Sequence, residues 1–461
     1  MTAPGPDLFA AQALLADGWA RDVLFRFGDD GTILLATPDK SAGGATIAAG
    51  PVLPGMVDVH SHAFQRALAG RTERASAGED SFWTWREAMY GFVLRLIPDH
   101  LEAIAAQLYV ELLKQGYTAV GEFHYLHHAP DGGAYDEIAE MSLRIVAAAR
   151  QAGIAITHLP VLYGYGGFGG ADVGDAQRRF QNSPDSLIRI VETMRSQFSD
   201  DPDVRVGVAP HSLRAVTDET LTETVAALHA DDPTAPVHIH VAEQKKEVAD
   251  CLAWSGQRPV DWLFDNAQPD RRWCLIHATH VSDAEVARIA ESGAVAGLCP
   301  VTEANLGDGI FPLPPFLAAG GVYAVGSDSN NTVSPVEELR WLEYGQRLRD
   351  GRRNIAADPR RPSVGAALWK AAAAGGAQAL AQPAGTLAPG KRADLIVLDG
   401  DDIDLEGLEG DDILDTMIFA GNENRIRDVM VGGVWRVVDG HHAAEENAAN
   451  AYRNTLHELS S

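Results

Sequence analysis

Four apolar segments of this chain run out into a histidine or an aspartate, and that placement limits the possible folds more than any other feature. Val57-Asp-Val-His60-Ser-His62 carries two histidines at i and i+2; Val237-His-Ile-His240 and Cys274-Leu-Ile-His277 each close on one; Tyr323-Ala-Val-Gly-Ser-Asp328 closes on a carboxylate. Alternation along an extended strand puts His60 and His62 on the same face. Separate strands that each deliver such a side chain at the C-terminal end match a parallel β/α barrel, where those ends build the site.

The rest of the chain reads in agreement. Ser282 and Glu285 form a capping box, Gly293 stops the helix, and 294–298 is the next strand. Asp99, with Glu102 three residues on, is read as the cap of a helix whose apolar face is Leu101, Ile104, Leu108 and Leu112, ended by Gly116 before the strand at 117–120. Further strands are read at 204–208 and 322–325. Strands alternating with helices over roughly 330 residues imply parallel pairing and a (β/α)8 TIM-type barrel, assigned to residues 53–384. Residues 1–52 and 385–445 read instead as short strands and turns, with a hairpin at 22–35 and another around Gly432-Gly433. Neither end has core enough to fold alone, so the two are expected to pair into one small β-sandwich domain. The acidic, alanine-rich tail at 446–461 reads as a surface helix.

Composition removes several alternatives. A net charge of −27 argues against a nucleic-acid surface, which needs clustered Lys and Arg. It leaves an anionic small molecule possible, because a few arginines set the sign inside a pocket. Cys251, Cys274 and Cys299 show no CxxC spacing, so no disulfide framework is expected and a reducing compartment is implied. No signal-like N-terminus and no apolar run of about 18 residues occurs, so a cytoplasmic protein without a membrane partner is expected.

His60, His62, His240 and Asp328 suit one divalent ion, Zn²⁺ first, with Fe²⁺ or Mn²⁺ also accepted by these donors. A lone strand-end histidine is more often a packed core residue than a ligand; it is the set, with Glu243 three residues past His240, that points to a metal. His238 is read as a packed strand residue. His280 is left unassigned. His124, His127 and His128 are read as solvated loop residues, and His441 and His442 as surface.

Taken together, Pro54-Gly-Met-Val-Asp-Val-His60-Ser-His62, His240-Val-Ala-Glu243, His277-Ala-Thr-His280, Gly326-Ser-Asp328 and the closing run Leu387-Ala-Pro-Gly-Lys-Arg-Ala-Asp394 resemble the amidohydrolase superfamily in its aminohydrolase branch. The resemblance implies a barrel with an appended β sandwich, and a homodimer. Residue chemistry then suggests roles: Asp328 takes a proton from a metal-polarised water, Glu243 carries it to the substrate nitrogen so that ammonia leaves, and His277 hydrogen-bonds the attacking oxygen.

Further residues narrow the resemblance to the formimidoylglutamate deiminase family: Gln65 and Arg66 after the metal histidines, Trp85-Arg86 on the next loop, Tyr125 and Pro210-His211-Ser-Leu-Arg214. This family's substrate, N-formimino-L-glutamate, is a dicarboxylate. Arginine pairs with carboxylates bidentately, which makes Arg86 and Arg214 the expected anchors. Gln65, Tyr125 and His211 are the remaining substrate partners that the resemblance implies. Arg86 sits among aromatics and could merely stack on them. Two rivals are a nucleobase or nucleoside deaminase of the same branch, acting on guanine-like rings or S-adenosylhomocysteine, and a non-catalytic scaffold, which would be expected to have lost ligands that are all present here.

Overall fold

Strands from both ends of the chain share one sheet. The computed structural model describes residues 7–75 and 80–460; positions 1–6 and 461, within the expected terminal units, lie outside them. Leu8–Leu15 and Gly18–Phe27 pair antiparallel, and alternation buries Val23, Phe25 and Phe27 of the second strand. Val52–Pro54 is the join: it lies parallel to Leu8–Leu15 and antiparallel to Leu395–Leu398. Ile426–Val431 and Val434–Val438 follow around Gly432-Gly433, both at positive φ. Pairing runs continuously through eight strands, with Thr46–Ile47 paired off that path, so strands of both ends belong to one nine-stranded sheet. Gly31 meets the Gly432 turn so closely that a Cβ there would lie 2.5 Å from the Gly432 carbonyl oxygen, which excludes any larger residue.

The middle of the chain alternates strands and helices, and its strands are parallel. Met56–Ser61, Tyr117–His124, Ala155–Leu162, Val204–Val206 and Ala209–Pro210 make one sheet; Val237–Val241, Trp273–His277, Val295–Leu298 and Val322–Val325 make another. The expected single closed sheet therefore appears as two. Isolated parallel bridges join their edges: Val208 with Val237 and Ser212 with His240 on one side, Ser61 with Asp328 on the other. Most of these strands are buried along their whole length, as expected where both faces of a parallel sheet are covered.

Local signals and structure agree at one helix start and differ at another. Ser282 Oγ accepts from the Glu285 N–H, the Glu285 carboxylate accepts from the Ser282 N–H at 2.7 Å, and Gly293 ends the helix at φ +74. Asp99 is not a cap. The helix runs Pro98–Lys114 from Ile97, because a proline favours the first helical position, and Asp99 in the first turn pairs with Arg144 at 2.8 Å instead. The C-terminal helix Glu445–Ser460 packs on that helix, with His100 Nε2 2.9 Å from Glu458 and Lys114 2.6 Å from Glu445. No helix among the described residues is long and apolar enough to cross a membrane.

Candidate active site

The strand ends converge at one mouth. The chain turns sharply there: Ala242, His277, Ala278, Asp328 and Asn330 all adopt positive φ between 46 and 67 although none is glycine. Such conformations are unfavourable and persist where the surroundings hold them. Asp58, inside the first strand, supplies part of that hold. Its carboxylate accepts from the Ser327 hydroxyl at 2.5 Å, the Ser327 N–H at 3.0 Å and the His60 N–H at 3.3 Å. Asn330 adds hydrogen bonds to the His62 and Asp328 carbonyls. Gly326 lets these two segments approach; a Cβ there would lie 2.8 Å from that of His60.

His60, His62 and His240 present ring nitrogens to one point, and His60, His277 and Asp328 do the same beside it. His62 Nδ1 lies 2.9 Å from the Phe123 carbonyl and His240 Nδ1 3.0 Å from the His211 carbonyl. A carbonyl only accepts, so each Nδ1 carries the hydrogen, and in the neutral ring Nε2 is left as a lone pair. Burial holds all three rings neutral, with His60 pulled down to about 3 and His240 well below its ordinary value. The His62 and His240 lone pairs then face His60 and a carboxylate, and Nδ1 of His60 has no partner among the described residues. His240 Nε2 is 3.0 Å from His60 Nε2, and Asp328 Oδ1 is 3.5 Å from His60 and 3.4 Å from His62. Burial alone would raise Asp328, but the surrounding histidines hold it below the usual carboxylate range. Converging electron pairs of this kind are stable around a cation. Tetrahedral donors at about 2.0–2.2 Å from Zn²⁺ stand about 3.3–3.5 Å apart, so the two Asp328 spacings fit such an ion.

His277 and Glu243 stand next to this cluster. His277 Nε2 lies 3.9 Å from Glu243 Oε1 and 3.7 Å from Asp328 Oδ2. Burial pushes Glu243 up to about 7, and His277, despite burial, is held up at about 10 by Glu243, Glu303 and Asp328. A carboxyl poised near neutrality beside the ligands is suited to accepting and returning a proton.

All five expected substrate partners line the same cavity as His62, His240, Glu243, His277 and Asp328. Gln65 Nε2 donates to the Tyr125 hydroxyl at 2.9 Å, while Gln65 Oε1 is buried without a partner. Arg86 does stack, 4.5 Å over Trp83, and Arg214 lies 5.7 Å from the same ring. Stacking does not use their hydrogens: Nε of both is buried and unpartnered. Arg214 is held charged by Glu247 and Glu243 despite its burial.

Some readings change. His124 and His127 are buried, not solvated, and burial keeps both neutral. His442 is buried too and bonds the Ala152 carbonyl, whereas His441 is exposed. His238 is packed as expected, 2.8 Å from the Ala379 carbonyl. His280 bonds the Asp308 carbonyl at 2.9 Å. Two buried carboxylates at the site were not foreseen. Asp58 could have been, since a charge within an apolar strand must find partners. Glu303, brought against His277 Nδ1 at 3.3 Å, could not.

Comparison with known proteins bears on the same residues. A family model described as "Amidohydrolase family" matches residues 52–436. The chain belongs to the amidohydrolase family. A second model, "Formimidoylglutamate deiminase HutF, N-terminal domain", matches residues 7–46. Within the amidohydrolases the chain is similar to the formimidoylglutamate deiminase of Pseudomonas aeruginosa, at 55% identity over 452 residues, 98% of this chain and 99% of that one. It is also similar to the 8-oxoguanine deaminase of that organism, at 30% identity over 84% of this chain and 82% of that one. The crystal structure of an amidohydrolase from Brucella melitensis superposes with a TM-score of 0.93 at 46% identity, covering 99% of this chain and all of that one.

Proposed function

We propose that this amidohydrolase hydrolyses N-formimino-L-glutamate to N-formyl-L-glutamate and ammonia, a step of histidine degradation. The observation that carries the substrate is the pair of half-buried arginines, Arg86 and Arg214, whose buried Nε atoms have no partner among the described residues and which line a cavity shared with the ligand cluster. Two guanidinium groups match two carboxylates. Gln65, Tyr125 and His211 complete the polar lining that would orient the chain of the substrate. Likeness to the Pseudomonas deiminase over nearly the whole length supports the same reading.

His60, His62, His240 and Asp328 would hold one divalent ion, with Zn²⁺ favoured by three imidazoles and one carboxylate. When bound, the ion supplies a polarised water and charge stabilisation at the formimino carbon. Asp328 and Glu243 are placed to receive the proton of that water, and Glu243 to deliver it to the departing nitrogen. His277 Nε2 is placed to hydrogen-bond the oxygen that adds to the carbon. Exclusion of bulk water follows from the burial of every one of these groups.

Three structural readings accompany this one. The two parallel sheets are inferred to be halves of a single (β/α)8 barrel over 53–384, supported by the bridges at both edges. Residues 1–52 and 385–445 are inferred to fold together as a sandwich-like β unit, supported by their shared sheet, with 446–461 as a helical tail. A homodimer is the assembly that the resemblance implies, and a cytoplasmic location is what the cysteine pattern suggests.

Aromatic side chains also line the cavity, so a purine deaminase is the rival. Ammonia release from N-formimino-L-glutamate, measured beside N-formimino-L-aspartate, guanine and adenosine, separates the two. Preference for the formimino dicarboxylate is the expected result, and preference for a purine overturns it. Elemental analysis before and after chelation should return one ion per chain, with activity lost when it is removed; an active metal-free chain would refute the ligand assignment.

A further inference from the structure

Glu303 is a buried carboxylate, 4% exposed, to which the reaction above gives no part. It lies on the short helix Pro300–Leu306, which follows the strand Val295–Leu298. Its own backbone aims it. The Glu303 N–H donates to the Cys299 carbonyl at 2.8 Å, its carbonyl accepts from the Asp308 N–H at 2.9 Å, and Oε1 accepts from the Cys299 N–H at 2.9 Å. That same Oε1 stands 3.3 Å from His277 Nδ1.

His277 needs such a partner more than its neighbours do. Its backbone has left strand geometry, at φ +67, so the direction of its ring is not dictated by a regular pleat. His62 and His240 have their Nδ1 atoms held by backbone carbonyls, whereas the atom facing Nδ1 of His277 is a side-chain carboxylate. An ionised carboxylate only accepts, so this contact requires the hydrogen on Nδ1. The opposite nitrogen, Nε2, is the one between Glu243 and Asp328.

We infer that Glu303 is a positioning residue which, by accepting the Nδ1 hydrogen of His277, fixes the ring's orientation and turns Nε2 into the cavity. The inference rests on the proposed deimination only for its kinetic consequence. Outer partners of this kind orient a working imidazole and are worth about 10–100-fold in activity.

The test uses the zinc-loaded full chain and the variants Glu303→Ala, Glu303→Asp, Glu303→Gln and His277→Ala. Nitrogen-15 shifts of the His277 ring, assigned by their disappearance in His277→Ala, need no turnover. Nδ1 should read as a protonated, hydrogen-bonded nitrogen in the parent and in Glu303→Gln, whose Oε1 can take the same two hydrogen bonds, and should lose that hydrogen-bonded signature in Glu303→Ala. Glu303→Asp keeps the charge but withdraws the oxygen, and shifts the signal the same way should the alanine variant not fold. In ammonia release, Glu303→Ala should lower kcat about 10–100-fold with KM and metal content unchanged. Glu303→Gln should recover most of that loss. Added to His277→Ala, the alanine change should cost nothing more, since a residue acting only through His277 has nothing left to act on.

An unchanged Nδ1 signal in Glu303→Ala or Glu303→Asp overturns the inference. So does a loss expressed in KM or metal content, or two losses that multiply. A chain that ignores N-formimino-L-glutamate but turns over a purine defeats the proposed substrate alone, and the ring signal still decides the role of Glu303.

Discussion

Each candidate ligand is ordinary by itself; what distinguishes His62 and His240 is where the second ring nitrogen goes. Both bond backbone carbonyls through Nδ1, which leaves Nε2 free to meet an ion, and Asp328 meets them from another strand end. Arg86 and Arg214 hold unpartnered hydrogens in the cavity, so Arg86→Ala and Arg214→Ala should each raise KM about 10–100-fold, the worth of a hydrogen bond to a charged group, and leave kcat less affected. Steady-state kinetics on N-formimino-L-glutamate and on a neutral formimino analogue checks this, because the analogue should show little change. Glu243→Gln should cut kcat about 10²–10⁴-fold while the ion stays bound, as loss of a proton-transfer group does; loss of the ion together with activity would reassign Glu243 as a ligand. These residues were legible in the sequence because the histidines and carboxylates end apolar runs. Glu303 was not, because its contact with His277 joins positions 26 apart on different elements.

At the level of elements, the site depends on segments that turn sharply just beyond strand ends. The Ser61–Asp328 bridge aligns the first and last parallel strands, and Asp58 ties them through Ser327. Ser327→Ala removes the 2.5 Å hydrogen bond to a buried carboxylate and should cost about 1–3 kcal/mol of stability. Thermal unfolding should show the drop, and elemental analysis a weaker hold on the ion; an unchanged metal affinity would mean Asp58 serves stability alone. Capping chemistry was readable at Ser282 and Gly293, where local signals act within one turn. Asp99 lies inside the first turn and not at the cap because Pro98, at the first helical position, moves the helix start two residues earlier. The burial of His124, His127 and His442 was not readable either. It arises from packing against elements distant in sequence, which no local polarity reveals.

For the whole molecule, the buried titratable groups predict opposing pH trends. Burial pulls His158 down from 6.5 to about 3, so across that window the unfolded chain binds more protons, and stability from this group is lost as pH falls. Burial pushes Glu122 up from 4.5 to about 8, so there the folded chain binds more protons, and stability is lost as pH rises through that range. Thermal unfolding from about pH 5 to about pH 8 separates them. Relative to the parent, His158→Asn should gain as pH falls and Glu122→Gln should gain as pH rises; parallel curves would show that neither group titrates on unfolding. Parallel strands, sharing of one sheet by both ends, and the candidate ligand set were readable in the sequence, because hydrophobic alternation, turn residues and strand-end polarity are local properties. Only the tertiary structure decided which nitrogen of His62 and His240 faces the cavity, that two arginines far apart in the chain meet there with Nε atoms unpartnered among the described residues, and that Glu303 backs His277. Those facts depend on long-range contacts among groups whose pairing energy appears only once water is excluded.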